Sequence, residues 1–421
     1  MAFQLELGVD HSEDKKLARE IFQPSQPVRT QEYLVGRAHS LDRTLDALST
    51  PGRSPFIYGV RGVGKTSLAQ TAAYLFNWSG SEPIYVACVP DLTFGSVVTM
   101  IARKLMRLPF FATSKKSFTE LKVGPSVFQL LRRIEKTDEY ITRMEVADAV
   151  DLFNTLAPPV GQKSVVIVDE LDVANAALKS QLAHFIKQIG DQECRLSFIF
   201  AGIAENTGEL LEQHASASRY IATIELQPLK LGELHKIVVT GFARLKLSCP
   251  DRLAWRIACL SDGFAHFTHL LCLKLAIHAI NEEQKDLTAD LFAVAVADAI
   301  EDSAAFLRTA YDQAVQKYQD KYEPVLWAAA DHWELLRSTE HMYDSYMRIS
   351  KDLGIVSQGR SEFSAILFQL KQQSHACVLK SDRRSWYQFT QAMMRGYCRI
   401  IAQSKKVNVG LEYMRDGSAT D

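Results

Sequence analysis

The chain has 421 residues, enough for about three domains of ~150 residues each, and its 47% apolar and 23% charged content is that of a globular protein with a real core. A formal net charge of −1 excludes a global electrostatic attraction to nucleic acid or to an anionic membrane. Seven cysteines without a C-x-x-C pair, and an N-terminus that is soon charged rather than a leader or long apolar span, lead us to expect a reduced, cytoplasmic protein with free thiols and no membrane segment.

In chain order, residues 12–22 predict a short helix with Ser12 as its N-cap. Pro24 and Pro27 then enforce an extended linker. Residues 38–49 place Leu41, Leu45 and Leu48 on one face of an amphipathic helix. A short apolar strand at 54–58 leads into Gly59-Val60-Arg61-Gly62-Val63-Gly64-Lys65-Thr66, a complete G-x-x-x-x-G-K-[ST] pattern, and a helix follows from Ser67. Strand, glycine loop and helix together make a phosphate cradle. The glycines let successive backbone N–H groups face one anion, and the helix N-terminus adds partial positive charge. Lys65 can reach the β- and γ-phosphates of a nucleotide, and the Thr66 hydroxyl can ligand Mg²⁺.

Further strands are expected near 84–88, 165–168, 196–201 and 221–226, alternating with helices, which predicts an α/β fold with a parallel sheet covered on both faces. The stretch 109–143 exceeds a simple crossover; residues 118–130, with Gly124-Pro125 at the turn, suit a hairpin, and the stretch suits either a partner contact or an insertion that only packs on the core. The run Val165-Val166-Ile167-Val168 has the unbroken β-branched character of a strand buried on both sides. Asp169 and Glu170 follow at its C-terminal end, where open α/β sheets place ligands. Asp169 suits the Mg²⁺ shell and Glu170 suits the polarisation of an attacking water, so the two motifs together predict ATP hydrolysis.

From about 230 the pattern is helical, with segments 232–246, 251–260, 267–281 and 289–300 forming a bundle. Helices near 322–333, 340–352 and 361–373 precede strands at 375–380 and 385–390, with a turn at 381–384 and a last helix at 391–403, a winged-helix-like order. Between 371 and 406 stand eight basic residues, Lys371, Lys380, Arg383, Arg384, Arg395, Arg399, Lys405 and Lys406, against the single acid Asp382. That local excess suits a DNA backbone, but a charge run is more often a solvated face, and a structural or partner role is the first expectation. His266, His269 and Cys272, with Cys259 nearby, lack the paired spacings of structural zinc.

These motifs resemble the AAA+ ATPases of the initiator type, similar to origin-recognition proteins, and more closely their bacterial relatives in the STAND-like class. The resemblance covers about residues 20–400. It rests on Phe22-Gln-Pro-Ser-Gln-Pro, Leu34-Val-Gly-Arg, the phosphate loop, Val168-Asp-Glu-Leu-Asp, Phe200-Ala-Gly-Ile-Ala, Glu225-Leu-Gln-Pro-Leu and Ser261-Asp-Gly-Phe-Ala-His-Phe. It implies an N-terminal helix and linker (1–30), a P-loop core (31–229), a helical lid (230–301) and a C-terminal winged-helix-like domain (302–421). It also implies that Tyr33, Val35 and Gly36 lie near adenine, that Ser67 belongs to the nucleotide site, that Asn206 orients the hydrolytic water and that Arg219 is an arginine finger serving a neighbouring subunit of a homo-oligomer. His266 stands where many lids carry a sensor arginine, which tilts the expectation toward a slow switch that engages an effector protein or DNA rather than a motor. The alternative is a nucleic-acid-binding scaffold with structural nucleotide and little turnover.

Overall fold

The computed structural model describes residues 13–77, 81–108, 125–136, 139–159, 162–192, 194–203, 217–316 and 318–410. They form two compact units. A sheet unit takes the described residues within 27–60 and 64–227, and a helical unit those within 13–26, 61–63 and 228–410.

In the sheet unit the elements run α2 (Ala38–Ser49), β1 (Ser54–Tyr58), α3 (Lys65–Phe76), β2 (Ile84–Ala87), α4 (Phe94–Met106), α5 (Pro125–Lys136), α6 (Val146–Leu156), β3 (Val165–Asp169), α7 (Ala176–Asp191), β4 (Ser197–Gly202) and β5 (Ile221–Glu225); α1 (Glu13–Ile21) belongs to the helical unit. The five strands pair in parallel in the order β2-β3-β4-β1-β5. Ile84 pairs with Val166, Val165 with Ser197, Phe56 with Phe200 and Ser54 with Ile221. Each expected strand is present. Every residue of β3 is buried, as its β-branched run requires of a strand covered on both faces. On one face Phe56, Phe198 and Phe200 pack with Phe94, Phe153 and Phe185 of the covering helices, and the rings of Phe185 and Phe198 meet edge to face at 5.1 Å. Because β1 and β3 are parallel, the glycine loop and Asp169 leave the sheet at the same edge.

One expectation fails. Residues 125–136 are a helix, not the return strand of a hairpin. Pro125 begins it, where its fixed φ and missing N–H cost nothing, and Val127, Leu131 and Ile134 recur at helical spacing and are buried. Residues 118–124 lie outside the described residues.

The helical unit contains α1, then α8 (Leu231–Arg244), α9 (Asp251–Ser261), α10 (Ala265–Asn281), α11 (Ala289–Glu301), α12 (Ala305–Val315), α13 (Gln319–Ala330), β6 (Arg337–Ser338), α14 (Thr339–Leu353), α15 (Arg360–Gln369), β7 (Leu379–Arg383), β8 (Trp386–Phe389) and α16 (Met393–Ser404). Phe22, just after α1, is buried against Phe242 of α8 at 5.2 Å. Its ring lies where a side chain at position 241 would begin, 2.3 Å from an added Cβ, so Gly241 is required there. Strands β6, β8 and β7 form an antiparallel sheet in that order. The hairpin strands fall at 379–383 and 386–389 rather than 375–380 and 385–390, and the turn between them holds Ser385 in the left-handed region at φ +64°. The two-residue β6 was not expected, since two residues carry no periodicity. Among the described residues no helix is long and apolar enough to cross a membrane.

Candidate functional site

The site is built where β1, β2 and β3 end. Gly59 and Gly64 have φ of +154° and +101°, and Gly64 is the N-cap of α3. At Gly64 the left-handed backbone, rather than crowding, demands glycine, because an added Cβ would meet nothing within 4 Å. The next residue, Lys65, turns its Nζ back across the loop to the carbonyls of Gly59 (3.0 Å) and Val60 (3.1 Å). One residue on, the Thr66 hydroxyl donates to Oδ2 of Asp169 at 2.6 Å, joining α3 to the end of β3.

Asp169 is 2% exposed. Its buried carboxylate is satisfied from three directions: Thr66 and the Tyr85 hydroxyl (3.2 Å) donate to Oδ2, and the Glu170 N–H (2.7 Å) donates to Oδ1. Glu170 is exposed and holds a left-handed backbone at φ +57°, an uncommon state for a non-glycine residue. Cys88 donates its N–H to the Asp169 carbonyl at 2.9 Å. Burial first, then the charges of Asp169 and Glu170, push the Cys88 thiol up to about 12, so it stays a neutral packing group. The same two causes raise the Tyr85 hydroxyl above its usual range. Tyr85 and Cys88 were not singled out from sequence. Their only signal is their place on the strand beside β3.

A hydroxyl and a buried carboxylate at one point are hard oxygen donors of the kind Mg²⁺ takes, so Thr66 and Asp169 fit that ion. Among the described residues no group of three or more His, Cys, Asp or Glu could hold a metal, so His266, His269, Cys272 and Cys259 do not assemble into a site. Burial raises the thiols of Cys259, to about 11, and of Cys272.

The remaining expected residues are placed as follows. Tyr33 ends a short 3-10 turn, and Val35 and Gly36 follow it, Gly36 at φ +72°. The approach to this segment is tied to α3 through Val28, whose N–H donates to the Ser67 hydroxyl at 3.2 Å and whose carbonyl accepts from Thr71 at 2.9 Å. The Ser67 oxygen is therefore engaged by the linker. Arg61, Gly62 and Val63 group with the helical unit. Asn206 lies outside the described residues. Arg219 is exposed on a 3-10 turn directly before β5, its guanidinium 5.5 Å from the Tyr220 ring centre. In the helical unit, Nδ1 of His266 is 2.8 Å from the Pro24 carbonyl. A carbonyl only accepts, so Nδ1 carries the proton; burial lowers the imidazole's pKa and keeps the ring neutral near pH 7.

The basic segment 371–406 divides in two. Arg395 and Arg399 are buried and paired with Asp262, and Lys405 pairs with Glu323 at 2.5 Å. The two arginines are spent inside the unit, while Lys405 is exposed beside its buried partner. At the hairpin, Lys380 is half-buried while Arg383 and Arg384 are exposed, with Arg383 5.3 Å from the Trp386 ring centre.

No protein-family model and no curated protein matches the chain. Among solved structures it is similar to a Walker-type ATPase of Pyrococcus abyssi, at 15% identity over 90% of this chain and 99% of that one, with a TM-score of 0.55. It is also similar to the ORC2 protein of Aeropyrum pernix, seen in ADPNP and ADP complexes, at 14% identity over 92% and 98% of the two chains, with a TM-score of 0.49. The likeness to the first of these shows the fold: the chain, with its parallel sheet in the order β2-β3-β4-β1-β5 and the glycine loop after β1, folds like that Walker-type ATPase.

Proposed function

We propose that this protein binds Mg²⁺–ATP at the glycine loop and hydrolyses it slowly, as a switch rather than a motor. The observation that carries the reading is the 2.6 Å hydrogen bond from Thr66 to Asp169, which unites the phosphate loop and the acidic strand end at one point. The loop's N–H groups and Lys65 bind the phosphates. Thr66 and Asp169 hold the cation, whose charge offsets that of the phosphates when it is bound. Glu170, exposed beside this point, takes the proton of the attacking water. Tyr33, Val35 and Gly36 flank the base. Arg219 completes the site of a neighbouring copy, so turnover follows assembly.

The switch character rests on His266. It stands where the resemblance expects a sensor arginine, yet its ring is neutral with Nδ1–H held by the Pro24 carbonyl and carries no positive charge. The same observation favours a second reading, a nucleotide-stabilised scaffold with little turnover. The helices and hairpin of 302–410, with Arg383 and Arg384 exposed, serve in either case as a winged-helix-like surface for DNA or an effector protein.

Calorimetric titration with ATP, paired with a phosphate-release assay, tests the function. Wild type should bind and turn over, Lys65→Ala should not bind, and Glu170→Gln should bind ATP and keep it. Binding by Lys65→Ala equal to wild type would overturn the site. Binding by wild type with no release under any assembly condition would leave the scaffold.

A further inference from the structure

On the sheet, Tyr85 pairs with Ile167 while Ala87 pairs with Asp169. Side chains alternate along a strand, so Tyr85 and Asp169 share a face, offset diagonally by two residues. That separation is too wide for a small side chain and suits a tyrosine. The ring spans it and delivers its hydroxyl to Asp169 Oδ2 at 3.2 Å. The strand is held in place as well: Lys104 of α4 donates to the Tyr85 carbonyl at 2.6 Å.

Asp169 Oδ2 therefore has two side-chain donors of different kinds. Thr66 is a candidate cation ligand, so its hydroxyl is shared between the carboxylate and the ion. Tyr85 lies on the other strand and is a donor to Asp169 alone among the contacts described. We propose that Tyr85 is a positioning residue: its hydroxyl fixes the Asp169 carboxylate in the plane from which that carboxylate and Thr66 together receive a divalent cation. The proposal rests on the Mg²⁺–ATP reading above. Partners that orient a metal-binding carboxylate typically matter about 10–100-fold in metal affinity.

The test uses the full-length chain and the variant Tyr85→Phe, which keeps the ring and removes only the hydroxyl. ATP affinity is measured in EDTA and then across a Mg²⁺ titration, with the thermal melt of each protein as a check on folding. The expected result is metal-free ATP affinity within about twofold of wild type and a half-saturating Mg²⁺ concentration raised about tenfold. A structural role alone would move the melt and both affinities together. Tyr85→Phe with a wild-type Mg²⁺ titration, or with equal losses in EDTA and in Mg²⁺, overturns the proposal while leaving the ATP site standing. Wild-type protein that binds no ATP in either condition overturns the ATP reading and this proposal with it.

Discussion

Arg395 grips Asp262 through two parallel hydrogen bonds, Nε to Oδ2 at 2.6 Å and Nη2 to Oδ1 at 2.7 Å, both partners being buried. Arg399 adds a contact from Nη1 to Oδ1 at 3.0 Å. The other guanidinium donors are spent on carbonyls: Arg395 reaches those of His332, Trp333 and Glu334, and Arg399 those of Cys259, Ala330 and His332. One carboxylate, at the turn between α9 and α10, thus holds α16 through two cations.

Asp262→Asn should consequently be strongly destabilising. Asparagine tolerates the left-handed backbone at φ +52° but leaves two buried guanidinium groups without a counter-charge. Breaking a buried pair from one side costs about 3–5 kcal/mol. Urea unfolding of the full chain should show a midpoint well below wild type; an unchanged midpoint would refute the role.

The contrast between these arginines and their neighbours marks the limit of what the sequence made legible. The phosphate loop, the buried β3 and the parallel sheet followed from local patterns, because β-branched runs and glycine positions carry their meaning within a few residues. The eight basic residues of 371–406 looked alike, since a one-dimensional charge count does not see Asp262, which lies 133 residues from Arg395. Tyr85 was missed for the same reason: its partner is 84 residues away. The helix at 125–136 was misjudged because Gly124-Pro125 is both a turn signal and a good helix start.

Stability should fall on mild acidification. His269 is buried and its pKa is lowered from 6.5 to about 4, first by burial and then by His266. The unfolded chain takes up this proton near pH 6.5, whereas the folded chain resists it until about pH 4. Folding is therefore unaffected above that window and loses stability as pH drops through it, by about 3 kcal/mol at most. Chemical denaturation of wild type and His269→Gln across this range should show the slope flattened in the variant. Parallel slopes would assign the acid sensitivity elsewhere.

Arg219 should act between subunits. Specific ATPase activity should rise with protein concentration, and Arg219→Ala should bind ATP normally yet stay slow throughout, since arginine fingers contribute about 10³–10⁵ in rate. Mixing Arg219→Ala with Lys65→Ala should restore activity, because one mixed pair joins an intact loop to an intact arginine. Concentration-independent activity without rescue would make Arg219 an ordinary surface residue.

If DNA is the partner of the hairpin, the pair Arg383→Ala and Arg384→Ala should weaken binding equally for unrelated sequences. The slope of log affinity against log salt should decrease by about 2 for the double variant, one phosphate contact being worth ~0.9. An unaltered slope would leave these two arginines out of any such interface.

The three donors to Asp169 have a temporal consequence. Its partners Tyr85 and Thr66 lie 84 and 103 residues upstream, on separate segments of the sheet unit. On a ribosome both emerge long before the carboxylate they serve. Contacts of such sequence separation close slowly, because chain entropy is surrendered before they form. This corner closes late, and the pairings of β1 with β4 and β5, which span still longer separations, close later again. During synthesis the corner that joins the glycine loop to the acidic strand end therefore cannot form until β3 has emerged, however early the loop itself appears.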